Sequence, residues 1–240
     1  MSSTIVSMID HAVLHPTQTD DDLRKACQMC ADLGVASVCV KPSMVPLTTE
    51  LLAGSSTVPS TVIGFPHGGT STETKLREAE VACAAGAREV DMVVNVGQVL
   101  AKNWDFVSRD IRAVNDVATS AGAITKVIFE TGLLPSDELK IELCKVCEAA
   151  GVAFVKTSTG FGFVKAADGN LQSTGATEHD IRLMREQCSD KVQVKASGGI
   201  RSFADAKKFV ELGATRLGTS GTEAIAAGER GESASSGDSY

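Results

Sequence analysis

Five times in this 240-residue chain a glycine closes an amphipathic helical stretch just before a short apolar run. Gly34 precedes Val35 to Val40, Gly86 precedes Glu89 to Val94, Gly122 precedes Thr125 to Phe129, Gly151 precedes Ala153 to Lys156, and Gly213 precedes Arg216 to Gly218. Glycine enters the left-handed region beyond a helix C-terminus without a Cβ clash, so each position reads as a helix-to-strand junction. Helices are expected at about Asp21 to Leu33, Thr74 to Ala85, Asp105 to Ser120, Ser136 to Ala150, Glu178 to Cys188 and Ser202 to Leu212. Strands at Met8 to Val13, Thr61 to Phe65 and Val192 to Ala196 bring the strand count to eight. Such alternation implies an α/β fold with a parallel sheet, and eight units in this length match a closed (β/α)8 TIM barrel. An open doubly wound sheet is the alternative, but no Gly-x-Gly-x-x-Gly turn follows the first strand and no Walker loop is present. The expected organisation is one barrel domain over residues 1–227. A small, polar, serine-rich tail over 228–240 should remain flexible and ends in Tyr240, the only tyrosine.

A hydrophobic content of 43% suits one large core. The net charge of -7 and pI near 5.2 oppose non-specific nucleic-acid binding, which needs basic patches to displace counterions from phosphates. A small-molecule substrate fits better. The N-terminus lacks a basic region followed by a long apolar run, and no stretch reaches the ~18 apolar residues that span a bilayer, so a soluble cytoplasmic protein is expected. Seven scattered cysteines read as free thiols of a reducing compartment. Cys27 with Cys30 and Cys144 with Cys147 could form a split zinc site, but nearly half the chain separates the pairs and both lie in helical patterns. No metal is expected.

The chemistry is suggested by lysines near the ends of two apolar strands. Phe154-Val155-Lys156 runs into Thr157-Ser158-Thr159-Gly160, and Val194-Lys195-Ala196 runs into Ser197-Gly198-Gly199. Burying an ammonium ion is costly, and a site that tolerates it usually lowers the lysine pKa and makes the amine nucleophilic. Lys156 is the candidate nucleophile; a structural ion pair with a carboxylate is the plainer reading of the same residue. Lys195, on the next expected strand, would crowd Lys156 and favour loss of a proton from one of them. Residues two apart on a strand share a face, which groups Lys156 with Phe154 and Ser158, and Lys195 with Gln193 and Ser197. Asp91, between Val90 and Met92, could pair with Lys195, take a substrate proton or relay protons through water.

Ser197-Gly198-Gly199-Ile200-Arg201 leads into a helix, and Gly218-Thr219-Ser220-Gly221 follows the last strand. Loops after strands seven and eight often bind phosphate through backbone N–H groups and helix N-termini, although glycines also make ordinary turns. His11 and His15 have helical ligand spacing on a strand-like segment, so supporting roles are expected for both. His67, in a loop after a strand, could line the entrance.

The ordered set Ile9-Asp10-His11, Val62-Ile63-Gly64-Phe65-Pro66, Glu89 to Asn95, Lys126 to Gly132, Val155 to Phe161, Lys195 to Arg201 and Leu217 to Ser220 closely resembles the deoxyribose-phosphate aldolase family over nearly the whole chain. The resemblance implies a cofactor-free, metal-independent class I aldolase, with 2-deoxy-D-ribose 5-phosphate as substrate and acetaldehyde and glyceraldehyde 3-phosphate as products. It makes Lys156 the Schiff-base lysine, Lys195 and Asp91 the proton-handling pair, and Tyr240 a mobile residue assisting proton transfer at the enamine carbon. It also implies Cys39, Thr159 and Gly160 near the substrate, Asp10 in support, and Gly198, Gly199, Arg201, Gly218 and Ser220 around the phosphate. A homodimer is the expected assembly. Two departures stand out. Gly221-Thr222 replaces a common second serine after Gly-Thr-Ser, and His67 stands where an aliphatic residue is frequent. The rival readings are a transaldolase, a 2-keto acid aldolase, and a phosphosugar-binding barrel without catalysis. The keto-acid version would need a second anion site for its substrate's carboxylate.

Overall fold

The computed structural model describes residues 4–165 and 168–232. In chain order the strands are β1 (Ile9–Val13), β2 (Ser37–Val40), β3 (Val58–Ile63), β4 (Glu89–Val93), β5 (Ile124–Ile128), β6 (Phe154–Lys156), β7 (Phe163–Lys165), β8 (Leu171–Ser173), β9 (Gln193–Ser197) and β10 (Arg216–Thr219). Eight of them close a parallel barrel, with β6 pairing to β9 and β10 returning to β1. The other two, β7 and β8, form an antiparallel hairpin in the connection after β6. The helices are α1 (Asp20–Leu33), α2 (Val45–Leu51), α3 (Thr72–Ala84), α4 (Val96–Leu100), α5 (Trp104–Ser120), α6 (Asp137–Ala150), α7 (Glu178–Gln187), α8 (Phe203–Glu211) and α9 (Thr222–Glu229).

Local chemistry sets the boundaries. Thr19 and Asp22 form a reciprocal capping box at the start of α1, and Ser202 and Asp205 do the same for α8. α3 begins at Thr72, ahead of the expected Thr74, because the Ser71 hydroxyl accepts from the Thr74 N–H. All five junction glycines have positive φ, and Gly34 and Gly151 close α1 and α6 in the left-handed conformation. β3 ends before the expected Phe65 because Gly64 turns out of the extended region at φ 63°.

Alternation along the strands separates two kinds of interior. Val90, Met92, Val127, Val155, Val194 and Ala196 are fully buried between the barrel and helical side chains such as Ile111, Leu143, Ile181 and Met184. Each such large aliphatic residue contributes about 1.5–3 kcal/mol through burial. The residues between them on the strands point inward and include nearly every charge discussed below.

The chain remains in the barrel past Gly228, where a polar tail was expected to begin. Gly228 lies against Phe203 in the last turn of α9, and the Glu229 carboxylate accepts the Ile5 and Val6 N–H groups at 2.7 and 3.2 Å. This ties the last helix to the turn that enters β1. The cysteines are all free, and the Cys27/Cys30 and Cys144/Cys147 pairs sit on separate helices, α1 and α6. Among the described residues no group of three or more His, Cys, Asp or Glu could hold a metal, and no helix is long and apolar enough to cross a membrane.

Candidate active site

Register brings the inward charges together. Asp91 on β4 stands opposite Lys126 on β5, Lys156 on β6 opposite Lys195 on β9, and Lys195 opposite Arg216 on β10. Lys156 Nζ and Lys195 Nζ donate to the same oxygen, Asp91 Oδ2, each at 2.7 Å. Lys195 also donates to Asp10 Oδ2 at 2.5 Å. Lys126 holds the other oxygen, Asp91 Oδ1, at 2.7 Å and pairs with Glu89 at 2.6 Å. Arg216 bridges Asp10 Oδ1 and Glu89 Oε2 at 2.6 and 2.7 Å, and its guanidinium lies 5.0 Å from the Phe154 ring centroid. Ser37 donates to Asp10 Oδ1 at 2.7 Å.

Three carboxylates therefore face four basic groups in a closed interior. Burial alone would push the Asp10 and Asp91 carboxyls up, but the surrounding cations outweigh it and hold both well below the usual carboxylate range. Burial also works against the Lys195 and Lys126 ammonium groups, yet their carboxylate partners hold both above the ordinary lysine value. Lys156 goes the other way. Burial lowers its pKa, Asp91 only partly opposes this, and Lys195 adds to the depression. With Lys126, Lys195 and Arg216 charged, the three carboxylates are balanced, and Lys156 is the surplus amine that can be neutral.

Cys39, on β2, is buried at the same level, and burial followed by the Asp91 carboxylate pushes its thiol up. Gly218 makes room for the second lysine: a Cβ there would sit 3.1 Å from Lys195 Cε and 2.9 Å from Ser197 Cβ. At the mouth, Gly198 and Gly199 both have positive φ, and space beside Gly199 is open. Thr219 Oγ1 donates to the Ile200 carbonyl at 2.7 Å and accepts from the Gly221 N–H at 2.9 Å, joining the loops after β9 and β10. Arg201 and Ser220 are exposed there. Ser202 caps α8, but among the described residues no side chain caps the first turn of α9, whose N–H groups suit an anion.

Thr159 is placed differently from a residue free to meet substrate: its N–H and hydroxyl both donate to Glu130. Gly160 follows in an exposed turn at φ 83°. His11 is buried against Thr222, burial lowering its pKa to about 4, while His67 lies exposed after β3. Tyr240 falls outside the described residues.

Sequence reasoning overlooked Lys126, Arg216, Glu89 and Glu130. Lys126 carried the same signal as Lys156, a lysine within an apolar strand. Arg216 opened the expected last strand. Glu130 gave no such signal, because a carboxylate just past a strand reads as an ordinary loop residue.

A lysine kept short of protons beside a second lysine and a carboxylate, at the C-terminal end of a (β/α)8 barrel, is the equipment of a Schiff-base aldolase. The family model described as "DeoC/LacD family aldolase" matches residues 4–228. The deoxyribose-phosphate aldolase of Carboxydothermus hydrogenoformans is 47% identical over 95% of this chain and 96% of its own, and that of Listeria monocytogenes 46% over 95% and 96%. The solved deoxyribose phosphate aldolase of Aeropyrum pernix, described as a tetramer, is 31% identical with a TM-score of 0.81, covering 92% of this chain and 88% of that one. The chain belongs to the DeoC/LacD aldolase family.

Proposed function

We propose that this protein cleaves 2-deoxy-D-ribose 5-phosphate reversibly to D-glyceraldehyde 3-phosphate and acetaldehyde, in deoxyribonucleotide catabolism. The observation that carries the reading is the sharing of Asp91 Oδ2 by Lys156 and Lys195 within a charge set that leaves Lys156 as the surplus base.

In this reaction the neutral Lys156 amine attacks the substrate aldehyde carbon, and loss of water leaves a protonated imine. The Lys195–Asp91 pair, acting directly or through water, removes the proton of the C3 hydroxyl. The C2–C3 bond breaks, its electrons flow into the iminium to give an enamine, and glyceraldehyde 3-phosphate departs. Protonation of the enamine carbon followed by hydrolysis releases acetaldehyde and restores the amine. Asp10 keeps Lys195 oriented, and Cys39 borders the reacting end. Gly198, Gly199, Arg201, Gly218 and Ser220 receive the phosphate with the first turn of α9; Gly221, whose N–H is held by Thr219 Oγ1, supplies no hydroxyl where a second serine is common. We assign Thr159 and Gly160 to shaping the loop around the substrate, and Tyr240 to proton delivery at the enamine carbon. The proposed setting is the cytoplasm and the proposed assembly a homodimer, for which light scattering at a monomer mass would be the contrary result.

Borohydride reduction in the presence of 2-deoxyribose 5-phosphate tests the chemistry. One adduct mapped to Lys156 by peptide mass, and absent from Lys156→Ala, is the expected result. No adduct, or labelling scattered over surface lysines, would instead favour a binding protein without catalysis.

A further inference from the structure

Glu130 is a buried carboxylate, 2% exposed, that the chemistry above leaves unused. Among the described residues only Lys102 and Glu130 carry a side chain at positive φ, and Glu130 sits at φ 54° in the turn after β5. A residue with a Cβ stays in that region only when its surroundings hold it there.

The two oxygens of Glu130 engage opposite ends of one loop. Oε2 accepts the Thr159 N–H at 3.2 Å and the Thr159 hydroxyl, three residues beyond Lys156. Oε1 accepts the Thr174 hydroxyl at 3.4 Å, just past β8. The Thr174 N–H donates to the Gly162 carbonyl at 2.9 Å, so the carboxylate pins the base of the β7–β8 hairpin. There is little slack: a Cβ on Gly162 would lie 2.7 Å from Thr174 Oγ1 and 2.9 Å from Glu130 Cδ, and one on Gly132 only 2.4 Å from Thr174 Cβ. The next link reaches the anion end of the site. A Cβ on Gly175 would meet the Gly198 carbonyl oxygen at 2.6 Å, and the Ala176 N–H donates to that oxygen at 3.1 Å.

We infer that Glu130 is a positioning residue that sets the Gly198–Gly199 phosphate loop through Thr174 and Gly175. The inference rests on the phosphosugar reading above. Loss of the carboxylate frees Thr174 and lets the hairpin base and Gly198 shift, while the charge network on the barrel floor keeps Lys156, Lys195 and Asp91 in place. The effect therefore belongs to binding of the phosphate, separate from the carbon–carbon chemistry.

The test compares steady-state cleavage of 2-deoxyribose 5-phosphate and of unphosphorylated 2-deoxyribose. For Glu130→Ala, KM for the phosphorylated substrate should rise about tenfold or more with kcat within about threefold, and the loss of kcat/KM for 2-deoxyribose, through the freed Thr159, should be at least about threefold smaller than that for the phosphorylated sugar. Glu130→Gln keeps an acceptor for Thr159 and a polar partner for Thr174, and should restore most of the affinity. Thr174→Val, which fills the same space without the hydroxyl, should raise KM for the phosphorylated substrate alone and provides the readout if Glu130→Ala does not fold. Equal losses on both sugars, or no loss on either, would overturn the inference. A wild-type protein that cleaves neither sugar would instead defeat the aldolase reading itself.

Discussion

At Lys156 two opposing effects decide whether the amine is available. Burial, the largest influence, favours the neutral form, Asp91 favours the charged one, and the Lys195 ammonium adds to the depression. Because the pKa lies below the ordinary 10.5, the nucleophilic fraction rises as pH climbs through that lowered value. Lys195→Met removes the repelling charge and leaves Asp91 Oδ2 to Lys156 alone, and both changes favour the ammonium form. The rate of imine trapping by cyanoborohydride should then reach its plateau at a pH about one unit higher, or more. An unmoved profile would mean that Lys195 does not tune the nucleophile. Lys156, Lys195 and Asp91 stand out because charges within apolar strands are costly without a purpose. Lys126 and Arg216 follow the same rule, yet their purpose appears only when their carboxylate partners are known, and those lie on other strands.

Among the elements, α3 and α5 are joined by a second buried ion pair away from the site. Lys75 Nζ donates to Asp110 Oδ2 at 2.6 Å and to the Val93 carbonyl at 2.9 Å, at the end of the strand that carries Asp91. Thr72 is Asp110's other hydrogen-bond partner, through Oδ1 at 2.8 Å. Lys75→Met should destabilise the protein by about 3–5 kcal/mol in urea unfolding, because it leaves a buried carboxylate without its cation. Adding Asp110→Leu should recover most of that loss, whereas a single variant as stable as wild type would contradict this account. The long elements were legible because helical periodicity, capping residues and junction glycines agree along them. α2, α4, α9 and the β7–β8 hairpin were not. Each is short, α4 contains Gly97, and the hairpin's strands are largely exposed, so none carries a burial pattern long enough to read.

For the molecule as a whole, the barrel floor links folding to pH. Asp10 and Asp91 have folded pKa values below the ordinary 3.8, so their stabilisation is fully present above that value and is lost as pH falls through the folded values. Urea stability should change little from neutrality to about pH 5 and fall steeply below pH 3.8. Asp10→Asn should lower stability at neutral pH, since Lys195 and Arg216 each lose a carboxylate partner, and should make the acid limb shallower. An acid limb of unchanged slope would remove Asp10 from this role.

Taken alone, the sequence determined the eight-unit barrel and the placement of two lysines and an aspartate within apolar strands, because periodicity, glycine junctions and the cost of a strand lysine are local properties. Only the tertiary structure decided which oxygen each ammonium reaches, that Lys126 and Arg216 complete the charge balance, and that Glu130 clasps a loop from Thr159 to Thr174. Those facts depend on barrel closure and register, which bring together residues far apart in the chain, and a one-residue slip would turn each of those side chains to the other face.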